Sequence, residues 1–306
     1  MEYIILDLEW DSVYFKPKQR FLNQILQIGA VKLDENFETI DTFSRTICSS
    51  VSKKVTGRFA ELTGITKEIM LAGVSFDDAV KEYNEFAKNA DVTMTWSNSD
   101  LYTILENEEN LLKDGLRFKF NNYLDLQKLV QSKLRENGYE SKNQISLEGA
   151  AELLGIDITE FSMHTALDDC KVSALLFNRC YNEEVFNQLK RDATAPDFFA
   201  RLKFKPHPIS NINDSAINKS ELEFICPECG GNAKRLNAFK YRNRWFMANF
   251  KCEKCGFKFN GRVTFKKTFD SVLVKRKVCE YRRGKKNGMQ PMPEAVQSAA
   301  DRKGES

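Results

Sequence analysis

The sequence of 306 residues contains no apolar run close to the roughly 20 residues that a bilayer span needs. Its start, Met1 to Asp7, lacks the basic segment and the small-residue cleavage site of a signal peptide. Eight cysteines are too few for a disulfide scaffold in a chain of this length, and the two histidines are His164 and His207. We therefore expect a soluble cytoplasmic protein with no membrane partner.

Charged residues are abundant but unevenly distributed. Apolar residues make up 42% of the chain, which is enough for a sizeable core, and the length allows about two domains. Residues 201–306 contain 24 Lys and Arg against 10 Asp and Glu, whereas residues 1–200 contain 22 against 33. An acidic body followed by a basic C-terminal part indicates a polyanionic partner such as nucleic acid.

Hydrophobic periodicity predicts one α/β domain with a mixed sheet at the N-terminus, because strands come first and then alternate with helices. The predicted strands are residues 3–8, 25–33, 38–47, 92–96 and 123–126, and the predicted helices are residues 76–87, 127–137, 147–154, 165–181 and one from about Asp100. We place this domain at 1–200, a linker rich in turn-forming residues at 201–220, a small β-domain at 221–283 and a disordered tail at 284–306.

Asp7 and Glu9 end the first predicted strand and lie two residues apart. Side chains alternate along a strand, so the two carboxylates project from one face. Two converging like charges are costly unless a cation lies between them, and Mg²⁺ prefers carboxylate oxygens. A solvated strand end without a ligand is the alternative, because an Asp-x-Glu pair alone is a weak motif.

Three further acids and a histidine lie next to predicted helices. Asp100 follows the strand at 92–96, where it could join the acidic pair or only cap the next helix. His164 precedes a helix that begins with Asp168 and Asp169. One helical step rotates a side chain by about 100°, so only one of these two acids can face the cluster. A histidine beside acids suits a general base, and a plain surface residue is the alternative.

These segments resemble, in order and approximate spacing, the three exonuclease motifs of the DnaQ-like DEDDh 3′–5′ exonucleases. The resemblance rests on Tyr3 to Glu9, on Trp96 to Asp100, and on His164 followed five residues later by Asp169. It covers about residues 1–182. Three motifs in sequence on compatible elements are far more specific than any one of them.

A fourth segment, Phe59 to Thr66, resembles the Thr-Gly-Ile segment of the KapD-like and Eri-type branch, which is associated chiefly with RNA. Trp10 departs from the family, since many relatives have a small residue at this position. We expect Trp10 among the nucleic-acid contacts, and its size leaves open how the terminal nucleotide is seated.

The resemblance implies an RNase H-like domain that hydrolyses phosphodiester bonds with the help of metal ions. It implies that two Mg²⁺ or Mn²⁺ ions are held by Asp7, Glu9, Asp100 and Asp169. It also implies that His164 is the general base that activates water and that the products are nucleoside 5′-monophosphates. Because the base must be neutral, activity is expected to rise with pH as the imidazole loses its proton.

Two Cys-x-x-Cys pairs, separated by 22 residues, lie in the second predicted domain and comprise Cys226, Cys229, Cys252 and Cys255. A glycine follows each pair, so two tight turns can place four thiolates at the corners of a tetrahedron. The pattern predicts one structural Zn²⁺ and resembles a zinc ribbon, because a site closed by four cysteines has no open position for catalysis. Four buried free thiols are the alternative.

Basic and aromatic residues are interleaved around these cysteines, as expected for phosphate contacts combined with base stacking. The candidates for nucleic-acid contacts are Lys240, Tyr241, Arg242, Arg244, Trp245 and Arg262. Alternatively, the aromatic residues form the core of the small domain and the charges its solvated face. Both interpretations can hold, because a strand presents two faces. The basic sequence continues at 275–277 and 282–286.

Together these features predict a metal-dependent 3′–5′ exonuclease that degrades or trims single-stranded nucleic acid. RNA is favoured over DNA on the family branch alone. The alternatives are a DNA-trimming exonuclease that acts within a larger assembly, and a non-catalytic regulator that binds nucleic acid through the same fold.

Overall fold

The computed structural model describes residues 1–139 and 143–281. The chain forms two compact units, Met1–Phe199 and a second one that begins at Ala200. None of the helices in these described ranges is both long and apolar enough to cross a bilayer. The tail expected to be disordered, 284–306, and the basic segment 282–286 lie outside the described residues.

The first unit is a mixed sheet with helices packed on it. Its strands are β1 (Tyr3–Phe15), β2 (Arg20–Leu33), β3 (Thr39–Thr46), β4 (Val92–Thr95), β5 (Asn122–Asp125) and β6 (Arg191–Asp192). Its helices are α1 (Gly57–Thr63), α2 (Lys67–Leu71), α3 (Phe76–Phe86), α4 (Ser99–Leu111), α5 (Leu126–Glu136), α6 (Leu147–Leu153), α7 (Ala166–Cys180) and α8 (Glu183–Leu189).

The strand order is β3-β2-β1-β4-β5-β6. The first three strands form an antiparallel meander, β1, β4 and β5 run parallel, and β6 is antiparallel to β5. This confirms the predicted mixed α/β fold. Because β4 runs parallel to β1 and ends beside the middle of it, Asp7 and Glu9 of β1 lie just past the C-terminal end of β4, where the chain turns into α4.

The first two strands are longer than predicted. They pair continuously from Tyr3 with Leu33 to Phe15 with Arg20, with one irregularity between Glu9 and Trp10. β4 pairs with β1 only as far as Ile5, and β3 pairs with β2 only from Gln27 onward. Residues 10–25 therefore form a two-stranded hairpin that continues beyond the wider sheet, and we call it the hairpin arm.

A hydrophobic cluster on one side of the sheet fixes the position of α7. Ile5, Val31 and Met94 of the central strands are buried there together with Phe177 of α7. At about 25 cal/mol per Å² of apolar surface, the burial of such side chains is the main term that holds the helix against the sheet.

The second unit is an antiparallel sheet around its own aromatic core. Its strands are β7 (His207–Pro208), β8 (Phe224–Ile225), β9 (Asn232–Arg235), β10 (Lys240–Arg242), β11 (Trp245–Cys252), β12 (Lys258–Lys267) and β13 (Val272–Glu280). The order is β13-β12-β11-β9-β8, with β10 paired to β11 and β7 paired to β12. The core includes Phe246, Phe250 and Phe259.

Residues 201–220 are packed, in contrast to the linker expected from their composition. β7 pairs with β12 through Pro208 and Lys266, and Ile209 and Ile217 are buried in the core of the second unit. The turn-forming residues thus shape a compact connection, and two isolated apolar side chains attach it to the sheet.

Candidate active site

Three predicted metal ligands converge at the C-terminal edge of the sheet. Carboxylate oxygens of Asp7, Glu9 and Asp169 all lie within 4.8 Å of one another. Asp7 and Glu9 project from β1, and Asp169 comes from the first turn of α7. The period of two along β1 brings the first two together, and the packing of α7 on the sheet supplies the third.

Asp100 lies in the first turn of α4 and is 4% exposed. Its carboxylate accepts hydrogen bonds from backbone N–H groups, including that of Leu8 in β1, and these hydrogen bonds counteract part of the rise in its pKa that burial causes. β4 no longer pairs with β1 at Leu8, so this N–H is available to the side chain. Asp100 therefore adjoins the strand that carries Asp7 and Glu9, and its charge acts on both.

The electrostatics of these acids are those of a cation site. Burial raises the pKa of Glu9 to about 8, and the charges of Asp169 and Asp100 add to the rise. Burial likewise raises the pKa of Asp100 to about 7 and of Asp169 to about 6. Burial also raises the pKa of Asp7 well above its ordinary value, with further rises from the neighbouring acids.

A divalent cation fits this donor set. Hard cations such as Mg²⁺ and Mn²⁺ bind carboxylate oxygens, and a bound cation would offset the repulsion that raises these pKa values. Within residues 1–139 and 143–281, no lysine or arginine forms an ion pair with any of the four acids. Asp7, Glu9, Asp100 and Asp169 are therefore the residues that would hold metal ions.

The structure separates Asp168 from Asp169, which the sequence left as competitors. The Asp168 carboxylate pairs with Lys171 at 2.8 Å and accepts the backbone N–H of Ser162 at 3.1 Å. Asp169 turns the other way, towards Asp7 and Glu9. The 100° step between adjacent helical residues accounts for this division of roles.

His164 lies in the turn before α7, with φ of +66°. Its backbone N–H donates to the Asp169 carboxylate at 3.3 Å, and the residue is exposed. A positive φ is uncommon for a residue with a Cβ, although histidine is among the residues that tolerate it. This conformation ends the loop and lets His164 and Asp169 share one site despite their separation of five residues.

Two residues of β2 that the sequence analysis did not single out position the start of α7. Gln27, which pairs with Glu9 across the strands, accepts the N–H of Ala166 through its side chain at 3.0 Å. Gly29 pairs with Asp7, and a Cβ on Gly29 would lie 2.4 Å from the backbone of Ala166. A glycine inside a strand is the signal that indicates such a close approach.

Asp125 is a further acid near the site that the sequence analysis missed. It caps α5, is buried, pairs with Lys128 at 2.9 Å and raises the pKa of Asp100 through its charge. Tyr123 lies two residues earlier, and its hydroxyl contacts Thr95 at 2.8 Å. Asp125 and Tyr123 of β5 are thus close enough to Asp100 to interact with it electrostatically.

In the second unit, the four predicted cysteines form one cluster with all sulfurs within 4.8 Å of one another. Two of the sulfur pairs, Cys226 with Cys255 and Cys229 with Cys252, are 3.6 and 3.5 Å apart. A disulfide requires about 2.05 Å. A zinc ion with Zn–S bonds of about 2.3 Å places sulfurs roughly 3.8 Å apart. The spacing therefore fits four ligands of one zinc ion.

The backbone around Cys252 favours a thiolate at this position, whereas at Cys255 the hydrogen bond from the Phe257 backbone is outweighed by those with the other cysteine side chains, which raise the pKa of Cys255 to about 12. The N–H groups of Cys255 and Lys254 point at the Cys252 sulfur at 3.4 and 3.3 Å, and the hydrogen bond from Cys255 is the largest influence that lowers the pKa of Cys252 to about 6. Gly230 and Gly256 adopt positive φ after each pair, as a tight turn around a metal requires.

The candidate nucleic-acid residues of the second unit lie on more than one surface. Directly paired residues of antiparallel strands share a face. Tyr241 pairs with buried Phe246, and the ring centroids are 4.8 Å apart, so Tyr241 belongs to the core side at the edge of the sheet. Arg244 lies in the β10–β11 turn, where Asn243 and Arg244 both have positive φ.

The remaining candidates share the opposite face of the sheet. Lys240 and Arg242 flank Tyr241 on β10, and Arg242 pairs with half-buried Trp245. Arg262 lies on β12 between buried Gly261 and Val263, so its side chain projects away from the core. We call this outward surface the basic face.

The chain is similar in sequence to known nucleases and polymerases. The family described as Exonuclease, RNase_T, matches residues 4–177. A DNA polymerase III of PolC type from Thermotoga petrophila is 28% identical over 177 residues, which are 58% of this chain but only 12% of the polymerase. The probable 3′-5′ exonuclease KapD of Bacillus subtilis is 28% identical over 179 residues, covering 57% of this chain and 82% of KapD.

One solved structure of similar topology is the nuclease domain of 3′hExo, a DEDDh family member, bound to rAMP. It has 20% sequence identity and a TM-score of 0.48, and the alignment covers 58% of this chain and 90% of that one. The family match spans more than half of the chain and includes Asp7, Glu9, Asp100 and Asp169. The protein therefore belongs to the exonuclease family RNase_T.

Proposed function

We propose that the protein is a 3′–5′ exonuclease that removes nucleoside 5′-monophosphates from single-stranded nucleic acid with two divalent cations, Mg²⁺ or Mn²⁺. The observation that carries the proposal is the convergence of the Asp7, Glu9 and Asp169 carboxylates within 4.8 Å, with buried Asp100 beside them. Such acids are costly to hold together unless they bind cations.

The chain's own residues would divide the work. Asp7, Glu9, Asp100 and Asp169 would hold the cations, which supply charge stabilisation to the attacking and leaving oxygens. His164, exposed in its turn and tied to Asp169, would accept a proton from the attacking water. Gln27 and Gly29 would fix the position of the start of α7 relative to β1, and thereby the positions of His164 and Asp169.

We further propose RNA as the preferred substrate, supported by the resemblance of Phe59 to Thr66 to the RNA-associated branch. A second candidate function is the trimming of DNA. It is favoured by the similarity to PolC-type DNA polymerase III, a relative that synthesises DNA. The match covers 12% of the length of that polymerase.

The second unit would hold the substrate. One Zn²⁺ at Cys226, Cys229, Cys252 and Cys255 would fix the turns of the sheet. Lys240, Arg242, Trp245 and Arg262 of the basic face would contact phosphates and stack on a base. Arg244 would add a charge at the edge, whereas Tyr241 packs on Phe246 and is the weaker candidate for a contact.

The deciding experiment is a time course on 5′-labelled RNA and DNA of one sequence, with Mn²⁺, with EDTA and with Asp7→Ala as a control. A metal-dependent ladder that shortens from the 3′ end of RNA faster than of DNA supports the proposal. Faster degradation of DNA supports the second candidate. If neither polymer is cleaved although the protein binds both, the exonuclease proposal is wrong and a non-catalytic binding role takes its place.

A further inference from the structure

The hairpin arm continues the strand that carries Asp7 and Glu9. Beyond Glu9, β1 runs on to Phe15, turns through a short 3₁₀ segment at Lys16–Lys18, and returns as β2. Tyr14 is five residues from Glu9, which is about 17 Å along an extended strand. The tip of the arm is therefore a fixed distance from the acidic cluster.

Two large aromatic side chains are exposed at this tip. Tyr14 and Phe21 pair directly across the arm, with ring centroids 5.7 Å apart and the rings nearly perpendicular. Tyr14 is 50% exposed and Phe21 is 67% exposed. Much of the surface of both rings is therefore accessible to a ligand at the tip of the arm.

The turn next to these rings is positively charged, although the first unit as a whole is acidic. Residues 12–33 contain no Asp or Glu, and Lys16 and Lys18 lie in the turn, whereas Arg20 is paired with Glu106. Lys16 and Lys18 are exposed. The local surface thus combines cations with accessible ring faces.

The base of the arm is held rigidly. Leu22 is fully buried, and buried Asp11 accepts the N–H of Thr56 at 2.6 Å and its hydroxyl at 2.8 Å. On the α4 side, Asn107 accepts the N–H of Ile25 at 3.1 Å and donates to the carbonyl of Asn23 at 2.7 Å. The strands that carry the tip are therefore fixed on both sides, and they hold the tip in a defined position in solvent.

α4 connects the arm to the candidate active site. Arg20 forms an ion pair with Glu106, which lies one residue before Asn107 on α4. Asp100 lies in the first turn of the same helix. The arm is therefore joined to the site twice, through β1 to Glu9 and through α4 to Asp100.

We propose that the tip of the hairpin arm, formed by Tyr14, Lys16, Lys18 and Phe21, is a second contact for single-stranded nucleic acid and binds the substrate several nucleotides from its 3′ end. The inference rests on the proposed function. Cations matched to phosphates, with aromatic faces between them, are the combination that holds single strands without regard to sequence. At the stacked spacing of 3.4 Å per nucleotide, 17 Å corresponds to about five nucleotides.

Charge complementarity decides between nucleic acid and a protein partner. The acid-free stretch would attract any polyanion, and a strand whose end is bound at the acidic cluster is already within reach of the tip. A protein partner would need an acidic surface of its own, and it would not make the effect of the arm depend on substrate length.

The test compares Tyr14→Ala/Phe21→Ala with the parent on a trinucleotide and on a 20-nucleotide substrate. Because the variant loses base stacking at the tip, we expect kcat/KM on the long substrate to fall about tenfold or more and kcat/KM on the trinucleotide to be unchanged. Lys16→Gln/Lys18→Gln serves as a second variant in case the aromatic pair also supports folding. The loss of two phosphate contacts should reduce the slope of log Kd against log salt concentration by about 1.4.

The matched control is Lys119→Gln, an exposed lysine shortly before the N-terminal end of β5, which is the sheet edge opposite the acids. It should leave both substrates unaffected. Equal effects of the arm variants on short and long substrates, or none on either, would overturn the inference. If the parent cleaves neither substrate, the proposed function is wrong. Binding of the 20-nucleotide substrate in EDTA then tests the arm by itself. An unchanged affinity of both arm variants would refute the inference about the arm.

Discussion

Asp169 accepts the backbone N–H of His164 at 3.3 Å, and His164 has a left-handed backbone conformation in the turn before α7. On a continuous helix, two residues five apart would project about 140° from each other. The turn removes that difference, and the hydrogen bond fixes the loop to the acid. The histidine and the carboxylate of the third motif therefore lie at one site because the helix begins only after His164.

The neighbouring acids of α7 provide a matched pair of variants. We expect Asp169→Asn to reduce kcat by at least about a thousandfold, because it removes a ligand next to Asp7 and Glu9. Asp168→Asn should stay within about threefold of the parent, because Asp168 pairs with Lys171 outside the cluster. Steady-state kinetics in Mn²⁺ checks both, and an inverted order would assign the ligand role to Asp168.

His164 can be tested without disturbing its backbone. Asparagine tolerates a positive φ, so His164→Asn removes the imidazole and keeps the turn. We expect kcat to fall by about 10²- to 10⁴-fold with little change in KM, as for the loss of a general base. His207→Asn, the change at the other histidine, should be neutral. Full activity of His164→Asn would exclude the imidazole from catalysis.

The raised pKa values predict that stability depends on pH and metal together. The pKa of Glu9 rises from 4.5 to about 8 and that of Asp100 from 3.8 to about 7. A carboxyl with a raised pKa favours folding while it is protonated, so its contribution is complete below the ordinary pKa and is lost as pH rises through the folded value. Without divalent ions, stability should therefore fall between about pH 5 and about pH 8.

Thermal melts in EDTA and in Mg²⁺ measure this effect. Mg²⁺ should raise the Tm more at about pH 8 than at about pH 5, since protonated acids bind cations poorly. Asp7→Asn should raise the Tm in EDTA at the higher pH by about 5 °C, or roughly 1–2 kcal/mol in a unit of this size. A Tm in EDTA that is independent of pH, with no gain from Asp7→Asn, would contradict the electrostatic picture of the site.

Gly29 sets the distance between β2 and the start of α7. A Cβ there would lie 2.4 Å from the backbone of Ala166, and backbone cannot move aside as a flexible side chain can. We expect Gly29→Ala to cost about 1–3 kcal/mol and to lower kcat, because α7 carries Asp169. Gly57→Ala is the control, since nothing lies within 4 Å of its Cβ position. Denaturant unfolding and kinetics on both variants decide whether this contact positions the site.

The parts of the site that the sequence predicts are those set by local periodicity. Asp7 and Glu9 share a face because a strand has a period of two, and the cysteine pairs are close because each spans one turn. The choice between Asp168 and Asp169 depends on how α7 is rotated. That rotation is fixed at Ala166 by contacts with Gly29 and with Gln27, and Gln27 is 139 residues away from Ala166 in sequence. No local pattern contains that information.

Local sequence patterns predict neither the hairpin arm nor the packing of residues 201–220, and the reason is the same for both. Residues 10–15 are extended because they pair with residues 20–25, although their own pattern is irregular. Ile209 and Ile217 look isolated among turn-forming residues, yet both are buried against strands that come later in the chain. Pairing and burial by distant residues override local composition in both cases.

The four-cysteine cluster makes the second unit dependent on metal. We expect one zinc per chain in the parent and in Cys279→Ser, because the Cys279 sulfur is outside the cluster, and loss of zinc in Cys229→Ser, which removes one of four ligands. Zinc binding contributes about 10–16 kcal/mol to the folding of comparable small sites, so Cys229→Ser should also expose the aromatic core around Phe250. Metal analysis together with near-UV circular dichroism measures both effects. A parent protein that is free of zinc and keeps its near-UV signal in a strong chelator would show that four thiols alone hold these turns.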